Sequence, residues 1–292
     1  MSNMGVLFQE WKDAIDLESR NSSQTPLILT AGVQYSPNLD SASFPIDSIQ
    51  QYLNWVHVIA YDFYMPTWSN FTRAQAALYD PSSTTNADYG IGTWINGGLS
   101  ADNIVLWLPF YGYAWTLVNP ANNSIGAPAT GPAITKEGQM SFKEIKDYIS
   151  RYGATVMYNA TYVVNYCSIG TSWIGFDDVE VVKIKVSYAK KRNLLGYFVW
   201  QVSHDDNLVL SQAAAGRATK AMTLDTFLRG QYPTQGILKG LDPSHGIRIK
   251  SPLLIGYISW IWRATRAMVL DPFLRGQCLA QCIKVALLRS PI

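Results

Sequence analysis

Four short apolar runs, separated by stretches of helical character, constrain the fold of this 292-residue chain more than any other feature. The runs are residues 27–33 (LILTAGV), 56–63 (VHVIAYDF), 104–110 (IVLWLPF) and 196–202 (GYFVWQV). Continuous apolar runs of this length are typical of parallel strands that are buried on both faces. Their alternation with helices predicts an α/β fold, either a doubly wound sheet or a (β/α) barrel.

The stretches between the runs carry signals for helix starts and stops. Pro45 begins a predicted helix in FPIDSIQQYL, and a glycine pair ends a second one in ADYGIGTWINGGL. The first twenty residues predict an amphipathic helix with Leu7, Trp11, Ala14 and Ile15 on one side. They lack the uninterrupted apolar core of a signal peptide, so we expect no export signal in this chain.

The stretch 116–177 interrupts the alternation of strands and helices. At about sixty residues it far exceeds the roughly 2–6 residues that usually connect a strand to a helix. We therefore predict an inserted α+β subdomain, in which Ser141 and Glu144 form a capping box and residues 154–176 form strands. After it, Asp178 is predicted to cap a helix that leads into the fourth apolar run.

The chain changes character beyond about Ala215. The segment RATKAMTLDTFLRGQ (217–231) returns as RATRAMVLDPFLRGQ (263–277) with three differences, too few copies for a solenoid. The apolar run 252–262 has about half the 20 residues that a bilayer span requires, so we expect no transmembrane segment. The composition favours a poorly ordered tail, or a fusion or splicing scar, over a membrane-surface or partner helix.

Charge and cysteine content exclude several kinds of function. The net charge is only +2 and no block of Lys or Arg stands out, which argues against a nucleic-acid partner. The three cysteines, Cys167, Cys278 and Cys282, have no histidine or second cysteine pair at zinc-ligand spacing. We therefore expect no metal site.

Tyr61 and Asp62 stand at the end of the second apolar run, where the strands of a parallel barrel open into the active site. Two interpretations are open: a buried tyrosine beside a turn aspartate, or a functional hydroxyl and carboxylate. Further aromatic residues stand at or near the ends of the other runs: Tyr35, Tyr111, Trp115 and Trp200. Each alone is typical of a core residue. Together they would line a cleft suited to pyranose rings, which have apolar faces and hydroxylated edges.

Six sequence segments, taken in order, resemble those of a known protein family. They are LILTAGVQYSP, VHVIAYDFYMPTW, AALYDPSS, IVLWLPFYGYAWTL, GPAITKEGQMSFKEI and GTSWIGFDDVEVVKIKVSYAKKRNLLGYFVWQVSHDD. In this order they resemble the C-terminal half of the family-18 glycoside hydrolases, and above all the plant class V chitinases. The resemblance implies a partial (β/α)8 TIM barrel over residues 1–215, with the equivalents of strands 5 to 8 and the insertion 116–177. Residues 216–292 form the tail.

The resemblance also implies roles for the aromatic and acidic residues. Tyr61 would hydrogen-bond the acetamido oxygen of the sugar that is cleaved, Asp62 would orient that sugar, and Trp200 would form the floor beneath it. Tyr35, Tyr111 and Trp115 would line the remainder of the substrate site. The reaction would be the substrate-assisted hydrolysis of β-1,4-linked N-acetylglucosamine, an exception to the two-carboxylate scheme, and it would need no cofactor.

The expected partner is chitin or its oligosaccharides, and the expected location is extracellular. Four Asn-x-Ser/Thr sequons are consistent with secretion: Asn21, Asn70, Asn122 and Asn159.

One departure from the family pattern concerns the acid. The family motif Asp-x-x-Asp-x-Asp-x-Glu, whose last residue is the general acid, does not occur in the 292 residues. Asp177, Asp178 and Glu180 have a different spacing and are interpreted as charges at a helix start. Residues 6–20 resemble the helix that follows the acid, so we expect the chain to begin just after the catalytic strand. We therefore predict that hydrolysis by this chain is impaired.

Three hypotheses follow for the function. The first is a chitinase-family protein that keeps a binding site for N-acetylglucosamine oligomers but cannot hydrolyse them. The second is a non-enzymatic interaction fragment that associates with itself or a partner through exposed sheet edges. The third is a misplaced start, with a full-length secreted chitinase as the natural product.

Overall fold

The structure, a computed structural model, describes residues 2–39, 42–216 and 284–288. The strands are β1 (Ile28–Gln34), β2 (Asn38–Leu39), β3 (Ala42–Ser43), β4 (Trp55–Ile59), β5 (Ile104–Pro109), β6 (Tyr111–Leu117), β7 (Ala129–Pro132), β8 (Gln139–Ser141), β9 (Met157–Asn159), β10 (Val164–Ile169), β11 (Ser172–Phe176), β12 (Gly196–Trp200) and β13 (Lys284–Leu288). The helices are α1 (Ser2–Ser22), α2 (Ile46–Tyr52), α3 (Ala87–Asn96), α4 (Phe142–Tyr152), α5 (Val179–Lys191) and α6 (Val209–Ala215). Short 3-10 helices lie at Ala101–Asn103 and Val202–His204.

The four apolar runs form the parallel part of one sheet, whose order is β12-β5-β4-β1-β13. The first four strands of that order are parallel, and β13 adds to β1 in the antiparallel direction. Strand β5 is buried along its whole length, as its apolar sequence requires. The α/β class is confirmed. Within the described residues the sheet is open, with β12 at one edge and β13 at the other.

The second apolar run forms a shorter strand than predicted. Strand β4 ends at Ile59, whereas the prediction extended it to Phe63. The strand cannot continue to Phe63 because Asp62, with a φ of 59°, lies in the left-handed region and turns the chain out of the extended conformation. The residues after Ile59 consequently lie beyond the strand, at its carboxyl end.

Helix α1 is confirmed, but its buried stripe differs from the predicted one. Phe8 and Ile15 are buried and Trp11 is half-buried, whereas Ala14 is exposed. Residues four and three apart lie on the same side of a helix, so Phe8, Trp11 and Ile15 share one face. Helix α1 packs against α2.

The second sheet follows β5 directly. Its strand order is β7-β6-β11-β10-β9, with β8 paired to β6, and all its pairings are antiparallel. Helix α4 begins with the predicted capping box, in which the Ser141 hydroxyl accepts from the Glu144 amide and the Glu144 carboxylate accepts from the Ser141 amide. Strand β6 can approach β11 closely because Gly112 lies against the carbonyl oxygen of Gly175, where a Cβ would not fit.

Helix α5 returns the chain from the second sheet to β12. Its N-cap is Asp178, as predicted, and Oδ1 of Asp178 accepts hydrogen bonds from the amides of Glu180 and Val181 at 3.0 Å each. None of the helices that the structure describes is both long and apolar enough to cross a bilayer. The duplicated segments 217–231 and 263–277, and the predicted poor order of the tail around them, lie outside the described residues.

Candidate functional site

Tyr61 and Asp62 lie just beyond the carboxyl end of β4, where a parallel sheet presents functional residues. The left-handed backbone of Asp62 is tolerated because aspartate enters that region more readily than most residues. The Asp62 amide donates a 3.2 Å hydrogen bond to Oε1 of Gln75. The turn that presents the Asp62 carboxylate is therefore held by a side chain from another part of the chain.

Two tyrosines of β6 converge on the Asp62 carboxylate. The hydroxyl groups of Tyr111 and Tyr113 donate to Oδ1 of Asp62 at 2.7 Å and 3.2 Å. Residues two apart on a strand point to the same face, which explains why both reach one oxygen. Burial, followed by the nearby negative charge of Asp62, raises the pKa of each phenol well above its usual value. Both phenols are therefore neutral hydrogen-bond donors to the carboxylate near neutral pH.

Tyr61 is enclosed by aromatic rings. Its own ring is 8% exposed and packs edge-on against Trp107 and Tyr111, with centroids 6.0 Å and 5.8 Å away. Burial, followed by the charge of Asp62, raises the pKa of the Tyr61 phenol strongly. The phenol is therefore a neutral group that can donate a hydrogen bond next to a carboxylate.

Trp200 ends β12 and is 36% exposed. Its ring lies 5.9 Å from that of Trp107, which in turn touches Tyr61, and the peptide bond after Trp200 is cis. The structure thus places the rings of Tyr61 and Trp200 each in edge contact with one ring, that of Trp107. We call these three residues together with Asp62 the rim site. An exposed indole beside a neutral phenol and a carboxylate can receive a ligand that has an apolar face and polar substituents.

Tyr35 and Trp115 take positions outside the rim site. Tyr35 packs edge-on against Phe63, with ring centroids 5.1 Å apart, and lies against Gly90 of α3. Trp115 is fully buried between Tyr113 and Trp173, with ring centroids 6.1 Å and 5.3 Å away. In the described conformation no surface of Trp115 is accessible to a ligand. The Trp115 ring instead packs against Tyr113.

Gln75 links the turn at Asp62 to strand β6. The sequence did not single it out as a site residue. Its side chain accepts from the Asp62 amide and donates to the carbonyl of Tyr111 at 3.1 Å, while its own carbonyl accepts from the amide of Phe63 at 3.0 Å. Gln75 is 2% exposed. The one available signal was a single amide within the otherwise apolar word AQAAL, because a buried amide needs partners.

A buried ion pair between Lys185 and Asp177 contacts the segment that carries Gln75. Nζ of Lys185 donates both to Oδ2 of Asp177 and to the carbonyl oxygen of Ala76, and the two charged side chains are almost fully buried. Burial raises the pKa of Asp177 to about 6 despite the cation, and burial lowers the pKa of Lys185. Helix α5 is thereby tied to the segment that carries Gln75. No cluster of three or more potential metal-ligating side chains occurs in the described part of the chain.

Comparison with known proteins shows clear relatives. Residues 1–205 match the family model "Glycosyl hydrolases family 18". A class V chitinase of Arabidopsis thaliana is 46% identical over 226 residues, which cover 76% of this chain and 60% of the relative. The crystal structure of the class V chitinase from Nicotiana tobaccum superposes with a TM-score of 0.73 at 43% identity, covering 74% of this chain and 63% of that one.

A mutant of the tobacco class V chitinase has been solved in complex with NAG4. It has a TM-score of 0.72 and 43% identity, and the alignment covers 74% of this chain and 63% of that one. The chain thus spans about three-fifths of the length of the relatives that it matches.

Proposed function

Since this chain belongs to glycosyl hydrolase family 18, we propose that it binds oligomers of β-1,4-linked N-acetylglucosamine at the rim site and does not hydrolyse them by itself. The observation that carries the proposal is the Asp62 carboxylate, which two tyrosine hydroxyls fix beside Tyr61, while the exposed Trp200 contacts the same Trp107 ring as Tyr61. Support also comes from the tobacco relative, which was solved with NAG4.

Three of the four residues of the rim site have a proposed task in contacting the sugar. The Tyr61 hydroxyl donates to the acetamido oxygen of the sugar, and Asp62 accepts a hydrogen bond that orients the same substituent. Trp200 offers its face to the apolar face of the pyranose ring. Tyr111 and Tyr113 hold the Asp62 carboxylate before the ligand arrives. Binding therefore costs little side-chain conformational entropy at Asp62.

Binding without hydrolysis is proposed because the acid motif is absent from the 292 residues. In the substrate-assisted scheme the acetamido oxygen is the nucleophile, and a carboxylic acid must still protonate the leaving oxygen. A general acid typically contributes about 10²–10⁴ in rate. The chain keeps the residues that would position the nucleophile and lacks the residue that would assist departure of the leaving group.

The proposal also assigns the architecture. Strands β1, β4, β5 and β12 represent strands 5 to 8 of the family's (β/α)8 barrel within residues 1–215, and the second sheet with α4 represents the insertion 116–177. An extracellular location accompanies this proposal. It is supported by exposure of the sequon asparagines Asn21, Asn70 and Asn122.

Calorimetric titration with the N-acetylglucosamine tetramer tests binding, and the β-1,4-linked glucose tetramer is the matched ligand control. We expect saturable binding of the acetamido oligomer and at least about tenfold weaker binding of the glucose oligomer, because the latter lacks the group that Tyr61 and Asp62 recognise. Equal affinity for both oligomers would overturn the assignment of the rim site. Absence of binding would favour the interaction-fragment hypothesis.

A further inference from the structure

A segment near the C-terminus completes one edge of the first sheet. Strand β13 pairs with β1 over five consecutive residues, from Ile28 opposite Leu288 to Gly32 opposite Lys284. The register runs without a shift, and the direction is antiparallel, in contrast to the parallel pairings of β1, β4, β5 and β12. In the described part of the chain, β13 is thus the outermost strand on this side of the sheet.

Without β13, strand β1 would itself be the edge. Its five central residues, from Leu29 to Val33, are all buried, so both of its faces are covered. An apolar edge strand of this kind presents a row of backbone N–H and C=O groups to any other extended chain. Sequences with such an edge associate unless the edge is covered, shortened or charged.

The sequence around β13 suits a covering strand. Residues 285–288 are Val, Ala, Leu and Leu, a short apolar run of the kind that pairs within a sheet. An antiparallel strand also needs no crossover helix, so a segment that arrives from a remote part of the chain can add directly to the edge. The stretch 216–283 is long enough to connect α6 to that position.

We propose that residues Lys284–Leu288 close the β1 edge within the same molecule, and that this pairing prevents two copies of the chain from associating through β1. The surface concerned is the outer backbone edge of Ile28–Gly32, and its occupant is the chain's own C-terminal segment. This proposal is independent of sugar binding.

Proline substitutions in the full-length chain test the pairing. Neighbouring residues of a strand alternate in whether the N–H faces the partner, so one of Val285→Pro and Ala286→Pro must remove a hydrogen bond of the ladder. The control is Thr226→Pro, which gives the first repeat the residue that the second repeat already has at Pro272. The measurements are hydrogen exchange of residues 28–34 and the molar mass by light scattering.

At least one of the two β13 variants is expected to exchange its β1 amides about tenfold faster and to form dimers or larger species. The control is expected to match the native chain. Unchanged exchange in both variants would overturn the pairing. Faster exchange in a chain that remains monomeric would overturn the protective role.

Cysteine cross-linking tests whether the pairing lies within one molecule, even where a proline variant fails to fold. Thr30 lies opposite Ala286, so Thr30→Cys with Ala286→Cys is expected to give a disulfide inside one chain, mapped by mass spectrometry. Thr30→Cys with Lys284→Cys is the register control, because Lys284 lies two residues away from the position opposite Thr30. A cross-link between two chains, or equal cross-linking in the register control, would contradict the proposal.

Discussion

The Tyr111 hydroxyl donates a 2.7 Å hydrogen bond to Oδ1 of Asp62, although the two residues are 49 positions apart and belong to different sheets. Asp62 follows β4 of the first sheet, and Tyr111 begins β6 of the second. The carboxylate of the rim site is therefore oriented from the second sheet. The second sheet thus positions the carboxylate of the proposed binding site.

Tyr111→Phe is expected to weaken binding of the N-acetylglucosamine tetramer about tenfold. The substitution keeps the ring against Tyr61 and removes a hydrogen bond to a charged group, which is typically worth about 1.5–3 kcal/mol. The matched control is Tyr188→Phe, because Tyr188 donates a similar 2.8 Å hydrogen bond to Asp88 on the surface of α3. Titration calorimetry measures both. Equal affinities for the native chain and the Tyr111→Phe variant would contradict the orienting role.

Gln75→Ala is expected to lower both the stability and the affinity for the tetramer. It leaves the Asp62 amide and the Tyr111 carbonyl without their partner, and an unsatisfied buried group typically costs about 1–3 kcal/mol. Gln50→Ala is the control, since Gln50 also accepts from a backbone amide, that of Ser100, but at the exposed surface. Urea unfolding gives the stability, and calorimetry gives the affinity. A loss of stability with unchanged affinity would reduce Gln75 to a structural residue.

The contribution of His57 to the stability of the chain is expected to be lost as the pH falls from about 6.5 towards 4, against an opposite contribution from Asp177, whose pKa is raised. Burial lowers the pKa of His57 from 6.5 to about 4, while Nε2 of His57 accepts a 3.0 Å hydrogen bond from Trp55. A depressed pKa in the folded state stabilises the fold above the unfolded value, and this contribution is lost as protons bind below it. The loss should be on the order of 2 kcal/mol, since the imidazole is not completely buried.

The histidine origin of this pH dependence is checked with His57→Gln. Glutamine does not titrate, and its carbonyl oxygen can accept from Trp55. Between pH 7 and 4, the urea midpoint of the native chain should therefore fall relative to that of the variant. An identical pH dependence in the two chains would assign the effect to other groups.

Lys185→Met is expected to destabilise the chain by about 3–5 kcal/mol, because it leaves the buried Asp177 carboxylate without its cation. Replacing both partners, with Asp177→Leu added, should recover most of that loss. Lys183→Met is the control on the same helix, since its ion pair with Glu180 is exposed and worth at most about 1 kcal/mol. Urea midpoints compare the three variants. A double variant no more stable than Lys185→Met would contradict an electrostatic cause.

Local sequence signals predicted the local features of the structure. The apolar runs predicted the four parallel strands, and Ser141 with Glu144 predicted the start of α4. These features depend on neighbouring residues. The position of Tyr61 and Asp62 at a strand end was predictable for the same reason, although the early end of β4 depends on the left-handed backbone of Asp62.

Local sequence signals did not predict contacts between residues that lie far apart in the chain. Gln75 reaches the backbone of Tyr111 across 36 positions, and no pattern in AQAAL specifies that partner. Trp115 illustrates the same limit. Its position after the third apolar run indicated a binding residue, but its ring packs against Trp173 and is buried. The pairing of β13 with β1 was also outside local reasoning, since it joins the two ends of the chain.

Binding without hydrolysis is tested most directly by incubating the full chain with saturating N-acetylglucosamine tetramer and following the oligomers by mass spectrometry. Trp200→Ala serves as the binding control, with at least about tenfold weaker affinity expected because a large aromatic contact is lost. We expect the native chain to bind the tetramer and the tetramer to remain intact. Shorter oligomers that appear with the native chain and disappear with Asp62→Asn, purified in parallel, would contradict it.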